Sequence, residues 1–234
     1  MPEIIFNGPE GRLEGRYQPA AHENAPIALV LHPHPLYGGT MNNKVVYQVY
    51  QSFARQGFAV MRFNFRGVER SQGEFDNGIG ELADAATALD WLQQQNPNAQ
   101  TCWISGFSFG SWIAMQLLMR RPEIEGFIAV SPPANMYDFS FLAPCPSSGL
   151  ILMGDKDDVV SEESVTKLHD KLAHQKNIDV EYNLISGADH YYRSKQDELV
   201  TALNKYIIGR TQEKPAEPVE AASDSKPRRQ LPRD

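Results

Sequence analysis

The succession Thr101-Cys102-Trp103-Ile104, then Gly106-Phe107-Ser108-Phe109-Gly110, then an apolar helical pattern from Ser111 to Met119 constrains this chain more than any other feature. An apolar run, G-x-S-x-G and a helix in that order describe a strand that reverses sharply into a helix with a serine at the apex. The reversal forces Ser108 into a strained backbone conformation, and a side chain at 106 or 110 would collide with the adjoining strand or helix. The hydroxyl is thereby held clear of the sheet, at the positive end of a helix and beside a free backbone N–H. Composition alone produces G-x-S-x-G in about one chain in ten of this size, so the placement between strand and helix carries the weight. The competing assignment is a glycine-rich turn whose serine only caps the helix.

The rest of the chain supplies a frame for such a turn. Residues 3–18 read as short antiparallel strands, with Leu13 and Tyr17 at alternating-position spacing. Ile27–Leu31 is a continuous apolar run, the pattern of a strand buried on both faces. Further strands are expected at 58–65, 126–130, 149–153 and 180–185. Helices are expected at 44–56, 79–95, 162–173 and 196–208, the second with Leu82, Ala85, Ala86, Leu89 and Leu92 on one face. Alternation of strands and helices implies an α/β fold, a mostly parallel sheet covered on both faces by right-handed crossovers. Ligands of such sheets bind beyond the carboxyl ends of the strands.

Length and composition set the outer limits. The chain has 234 residues and a net charge of −7, with no basic cluster before its last residues. One domain over residues 1–210 is expected, and nucleic acid is not expected as a partner. Thr211–Asp234 holds four prolines, five acids and five bases with almost nothing apolar. It is read as a disordered, solvated tail whose charges cancel. No apolar stretch approaches the roughly 20 residues of a membrane span, and the N-terminus lacks a signal-peptide core. Cys102 and Cys145 have neither disulfide nor metal spacing and read as reduced thiols of a cytoplasmic protein.

A serine hydroxyl needs an imidazole beside it, oriented in turn by a carboxylate. Of the six histidines, His190 stands after the strand ending at Ile185, on the same rim as Ser108. The acid is expected from Gly154-Asp155-Lys156-Asp157-Asp158-Val159-Val160, at another strand end. Pattern alone leaves Asp155 and Asp157 open. One oxyanion donor is expected from the Phe109 N–H. The other comes from the loop after Leu31, where Pro33 and Pro35 have no N–H to give. His34 is the choice and Leu36 the second. His32 and His34 serve equally well as imidazoles bonding loop carbonyls. As a metal pair they lack a third ligand, so the reading calls for no metal and no cofactor.

The order Ser108, Asp, His190 on such a frame resembles the α/β-hydrolase superfamily, over nearly everything from Ile27 to Ile208. That superfamily's acid loop is similar to Gly154, Asp157 and Val159, so the resemblance carries the acid role to Asp157, with Asp155 second. Arg66–Gly73 resembles its R-G-x-G-x-S-x-G loop, with Glu69 where the middle glycine would stand. His32–Pro35 with Gly38–Asn43 resembles a small, lidless bacterial branch related to dienelactone-hydrolase-like proteins. Many relatives insert a cap between the strands ending at Val130 and starting at Gly149, and this chain has no room for one. The loop 131–142, with Leu36, Tyr37, Tyr137, Tyr191 and Tyr192, is expected either to line a shallow acyl pocket or to serve as ordinary packing. The resemblance thus implies a serine hydrolase acting on a small soluble ester, thioester or related acyl substrate through an acyl-enzyme. The alternatives are a silent binding scaffold on the same fold or a peptidase on the same triad.

Overall fold

Apolar runs without alternation occupy the middle of a sheet because both of its faces are covered. All five residues of β3 (Ile27–Leu31) and of β4 (Ala59–Phe63) are buried accordingly. The computed structural model describes residues 2–212. Its eight-stranded sheet runs β1-β2-β4-β3-β5-β6-β7-β8, with β1 (Glu3–Gly8) and β2 (Gly11–Gln18) forming an antiparallel edge hairpin. From β4 onward through β3, β5 (Cys102–Phe107), β6 (Ile124–Val130), β7 (Ser148–Gly154) and β8 (Val180–Ile185), every pairing is parallel. This is the α/β architecture expected from the pattern.

Two apolar layers flank the sheet. On one face, Val45, Val49 and Phe53 of α1 (Lys44–Arg55) and Leu199, Leu203 and Ile207 of α5 (Gln196–Gln212) pack onto Val30, Val60 and Ile128. The other face is covered by α2 (Ile79–Gln95), α3 (Phe109–Leu118) and α4 (Glu162–Ala173). Parallel crossovers place the carboxyl ends of β3, β5, β7 and β8 on one rim, and the site is built there.

The boundaries differ from the pattern in informative places. α3 begins at Phe109, directly after Ser108, so no residue separates the apex from the helix. β4 ends at Phe63, and, two residues on, the Phe65 N–H turns to His32 Nε2 at 3.0 Å instead of a strand neighbour. α5 passes residue 210, with the Thr211 hydroxyl donating to the Ile207 carbonyl at 2.8 Å. The remainder of the expected tail, 213–234, lies outside the described residues. Two carboxylates on α2, Glu81 and Asp84, are buried although the helical pattern marks only its apolar face. Glu81 accepts the Asp76 and Gly78 N–H groups at 2.9 and 2.7 Å. Asp84 receives Arg66 in a two-pronged pair at 2.8 and 3.0 Å.

Candidate active site

Ser108 has φ 53° and ψ −123°, a conformation that persists in a non-glycine residue only where its surroundings enforce it. The enforcement is steric. A Cβ on Gly106 would fall on the Gly110 carbonyl, and one on Gly110 would lie 2.5 Å from the Leu31 and His32 carbonyl oxygens. The Ser108 N–H donates to the Val130 carbonyl at 2.8 Å, and its own carbonyl accepts the Ser111 N–H and hydroxyl. Its side chain makes no capping bond to the helix. The helix-cap assignment is therefore set aside.

The Ser108 Oγ instead lies 3.2 Å from His190 Nε2, and His190 Nδ1 lies 2.8 Å from Asp157 Oδ2. With Nδ1–H donating to the carboxylate, Nε2 is left to accept the serine proton. The second Asp157 oxygen accepts the Val159 and Val160 N–H groups at 2.9 and 2.8 Å. Burial works to raise the Asp157 carboxyl. The His190 hydrogen bond, its charge and the two amides outweigh burial and hold that carboxyl below its ordinary range. Asp155 faces elsewhere: it accepts the Gly187 N–H at 2.6 Å and the Ser186 hydroxyl at 3.1 Å. It clips the loop that delivers His190 without touching the imidazole.

The loop after β3 settles its own two histidines differently. His32 is wholly buried, its Nδ1–H donating to the Pro33 carbonyl at 2.6 Å and its Nε2 accepting the Phe65 N–H at 3.0 Å. Both ring nitrogens are engaged in tying the ends of β3 and β4 together. Burial, with His34 nearby, pushes its pKa down to about 3 against the opposing pull of the Pro33 carbonyl. His34 is half-buried and sits between the rings of Tyr37, Phe75 and Phe109, at 4.7, 4.8 and 4.9 Å. Its Nδ1 accepts the Leu36 N–H at 3.2 Å, which removes Leu36 from the oxyanion candidates. The Phe109 N–H, in the first turn of α3, lies outside the intrahelical ladder. Below this loop, Asn64 Oδ1 accepts the Met41 N–H at 2.7 Å, and Arg62 donates to Asn42 Oδ1 at 2.9 Å and to the Met41 carbonyl.

Of the expected lining residues, Leu36 and Tyr37 stand 67% and 82% exposed at the mouth of the site. The Tyr137 ring lies 5.8 Å from that of Phe109, and the Tyr191 ring 5.1 Å from that of His190. Tyr192 does not line the site. It is fully buried, with its hydroxyl 3.1 Å from Ser131 Oγ, because the backbone at Tyr192 (φ 53°) turns the ring into the core. The pattern missed Trp112, which stacks on Tyr137 at 4.4 Å. Its spacing of four residues from Ser108, one helical turn, was the available signal.

Comparisons with known proteins bear on the family and the fold. The family model described as X-Pro dipeptidyl-peptidase (S15 family) matches residues 16–230. An uncharacterized protein of Rickettsia prowazekii is 61% identical over 212 residues, covering 89% of each chain. A protein of unknown function from Agrobacterium tumefaciens shares 57% identity at a TM-score of 0.89, over 91% of this chain and 97% of its own. An α/β serine hydrolase without lid from Xanthomonas campestris shares 31% identity at a TM-score of 0.81, over 93% and 96%. Sequence and fold lead to one assignment: the chain belongs to the S15 family and is a serine hydrolase of the lidless α/β-hydrolase fold.

Proposed function

We propose that the protein hydrolyses a small soluble ester, thioester or related acyl substrate through a Ser108–His190–Asp157 triad. The observation that carries this reading is the continuous relay of 3.2 and 2.8 Å from hydroxyl to imidazole to carboxylate. Ser108 Oγ attacks the acyl carbon while His190 Nε2 takes its proton. The tetrahedral oxyanion is held by the Phe109 and His34 N–H groups. Its collapse expels the alcohol or thiol, which leaves with the proton from His190. Water, deprotonated by the same imidazole, then attacks the acyl-enzyme, and Ser108 recovers its proton as the acid departs. Asp157 fixes the imidazole's tautomer and stabilises its charged form. The open rim, lined by Leu36, Tyr37, Tyr137 and Tyr191, supports a small acyl group, and the two buried free thiols support a cytoplasmic protein.

The test is covalent labelling with a fluorophosphonate, followed by turnover of short p-nitrophenyl esters. We expect one adduct, at Ser108. Ser108→Ala and His190→Ala should each lower turnover by roughly a thousandfold, with little further loss in the double variant. A folded protein that takes no adduct and cleaves no ester would be a binding scaffold instead.

The family description favours a second reading, release of dipeptides from the N-terminus of a peptide. That reaction must recognise a free α-ammonium near the scissile bond, which calls for carboxylates. The cleft beside His190 is lined instead by Lys44 and Arg193, which supports the acyl-ester reading. Release of p-nitroaniline from an Xaa-Pro-p-nitroanilide at rates matching the best esters would reverse this preference.

A further inference from the structure

A cleft of about 310 Å³ opens between the start of α1 and the loop that follows His190, lined by Asn43, Lys44, Tyr191, Arg193 and Gln196. Among the described residues no carboxylate lines it. Lys44 is exposed and enters no ion pair among the described residues. As the first residue of α1, it places a cation where the helix dipole opposes one, so helix stability does not account for it. The Arg193 guanidinium covers the Tyr191 ring at 5.1 Å and is shared with Asp189 at 3.2 Å. Arg193 thus shares its charge with an acid, whereas Lys44 keeps its own, in a chain whose net charge is −7. The Tyr191 ring joins the cleft to the site, lying 5.1 Å from His190 and 6.0 Å from Phe107.

We propose that this cleft is an anion subsite, where Lys44 and Arg193 hold a carboxylate or phosphate group of the substrate while Tyr191 packs against its apolar part. The proposal rests on the hydrolase reading above and narrows its substrate to anionic acyl compounds. Exposed cations in a wet cleft each contribute modestly, and that contribution is screened by salt. The anion is thus a selector among substrates rather than the main source of affinity.

Two matched pairs of esters test the subsite and distinguish the side on which the anion enters. p-Nitrophenyl hemiglutarate against p-nitrophenyl valerate places the charge on the acyl side. 4-Carboxyphenyl acetate against 4-(methoxycarbonyl)phenyl acetate places it on the leaving group. In one pair, kcat/KM for the charged member should exceed that of the neutral one by roughly tenfold at low salt, two weak ion pairs acting together. That ratio should approach parity in high salt, fall several-fold in Lys44→Gln and Arg193→Gln, and drop below one in Lys44→Glu. A wild-type ratio at or below one in both pairs, or a ratio unmoved by Lys44→Glu, overturns the subsite while ester turnover leaves the hydrolase reading standing. If no ester is cleaved and no fluorophosphonate adduct forms, the hydrolase reading falls and the subsite falls with it.

Discussion

At the scale of single residues, neighbours of the same type divide into different roles according to what surrounds them. His32 and His34 are two apart, yet only His32 has both nitrogens bound by protein groups. Its Nε2 must stay unprotonated to accept the Phe65 N–H, and burial pushes its pKa from 6.5 to about 3. Between those values the unfolded chain binds more protons than the folded one, so this residue's contribution is complete above pH 6.5 and is lost as pH falls toward 3. The unfolding free energy of wild type over His32→Gln, read from urea melts, should therefore shrink by up to ~1.4 kcal/mol per pH unit across that window. A difference independent of pH would contradict the assignment. Glu69 carries a related lesson. It stands at φ 52°, where glycine is favoured, which gives the backbone reason that the resembled loop has glycine at this position.

At the scale of elements, the junction of β5 and α3 works only because the chain can fold back on itself without side chains. A Cβ on Gly106 would strike both the Gly110 carbonyl and the Ser111 nitrogen. Gly106→Ala should part α3 from β5 and displace the Ser108 hydroxyl from His190. About an ångström of displacement costs roughly a hundredfold in turnover. The check is kcat in protein shown by circular dichroism to be folded. Wild-type kcat in that variant would show that the junction tolerates a side chain and that its glycines are not there for the geometry. The loop from β8 to α5 is secured in the same economical way, Asp155 closing it through Gly187 and Ser186 while Asp157 meets the imidazole it delivers.

At the scale of the whole molecule, the sheet's rim is held by polar ties between distant segments. Arg66 and Asp84 join the loop after β4 to α2, with side chains 5% and 0% exposed. The hydrogen bond and charge of Asp84 raise the Arg66 pKa against the cost of burial, with Glu81 and Glu10 adding to the effect. Removing one partner leaves a buried charge alone, so Asp84→Asn should destabilise the fold by about 3–5 kcal/mol. Arg66→Met combined with Asp84→Leu should recover most of that loss, because an apolar pair leaves nothing unpaired. Urea denaturation of the three variants checks both statements, and a single variant as stable as wild type would show the pair to be dispensable.

The sequence by itself determined the elements and the chemistry of the apex. The unbroken apolar run Ile27–Leu31 required a doubly covered strand, Gly106 and Gly110 allowed the sharp reversal at Ser108, and Pro33 and Pro35 left two positions of the loop after β3 without an N–H. These are local steric and burial constraints, acting over a few residues, and they can be read residue by residue. Pattern alone left Asp155 and Asp157 open, and only the tertiary structure decided where Tyr192 points, that Trp112 stacks on Tyr137, and that Asp84 and Glu81 lie buried. His190 reaches Ser108 across 82 residues and Asp157 across 33. Contacts of that span depend on strand order and register, and Asp155 and Asp157, neighbours on one loop, differ only in what the rest of the chain brings to them.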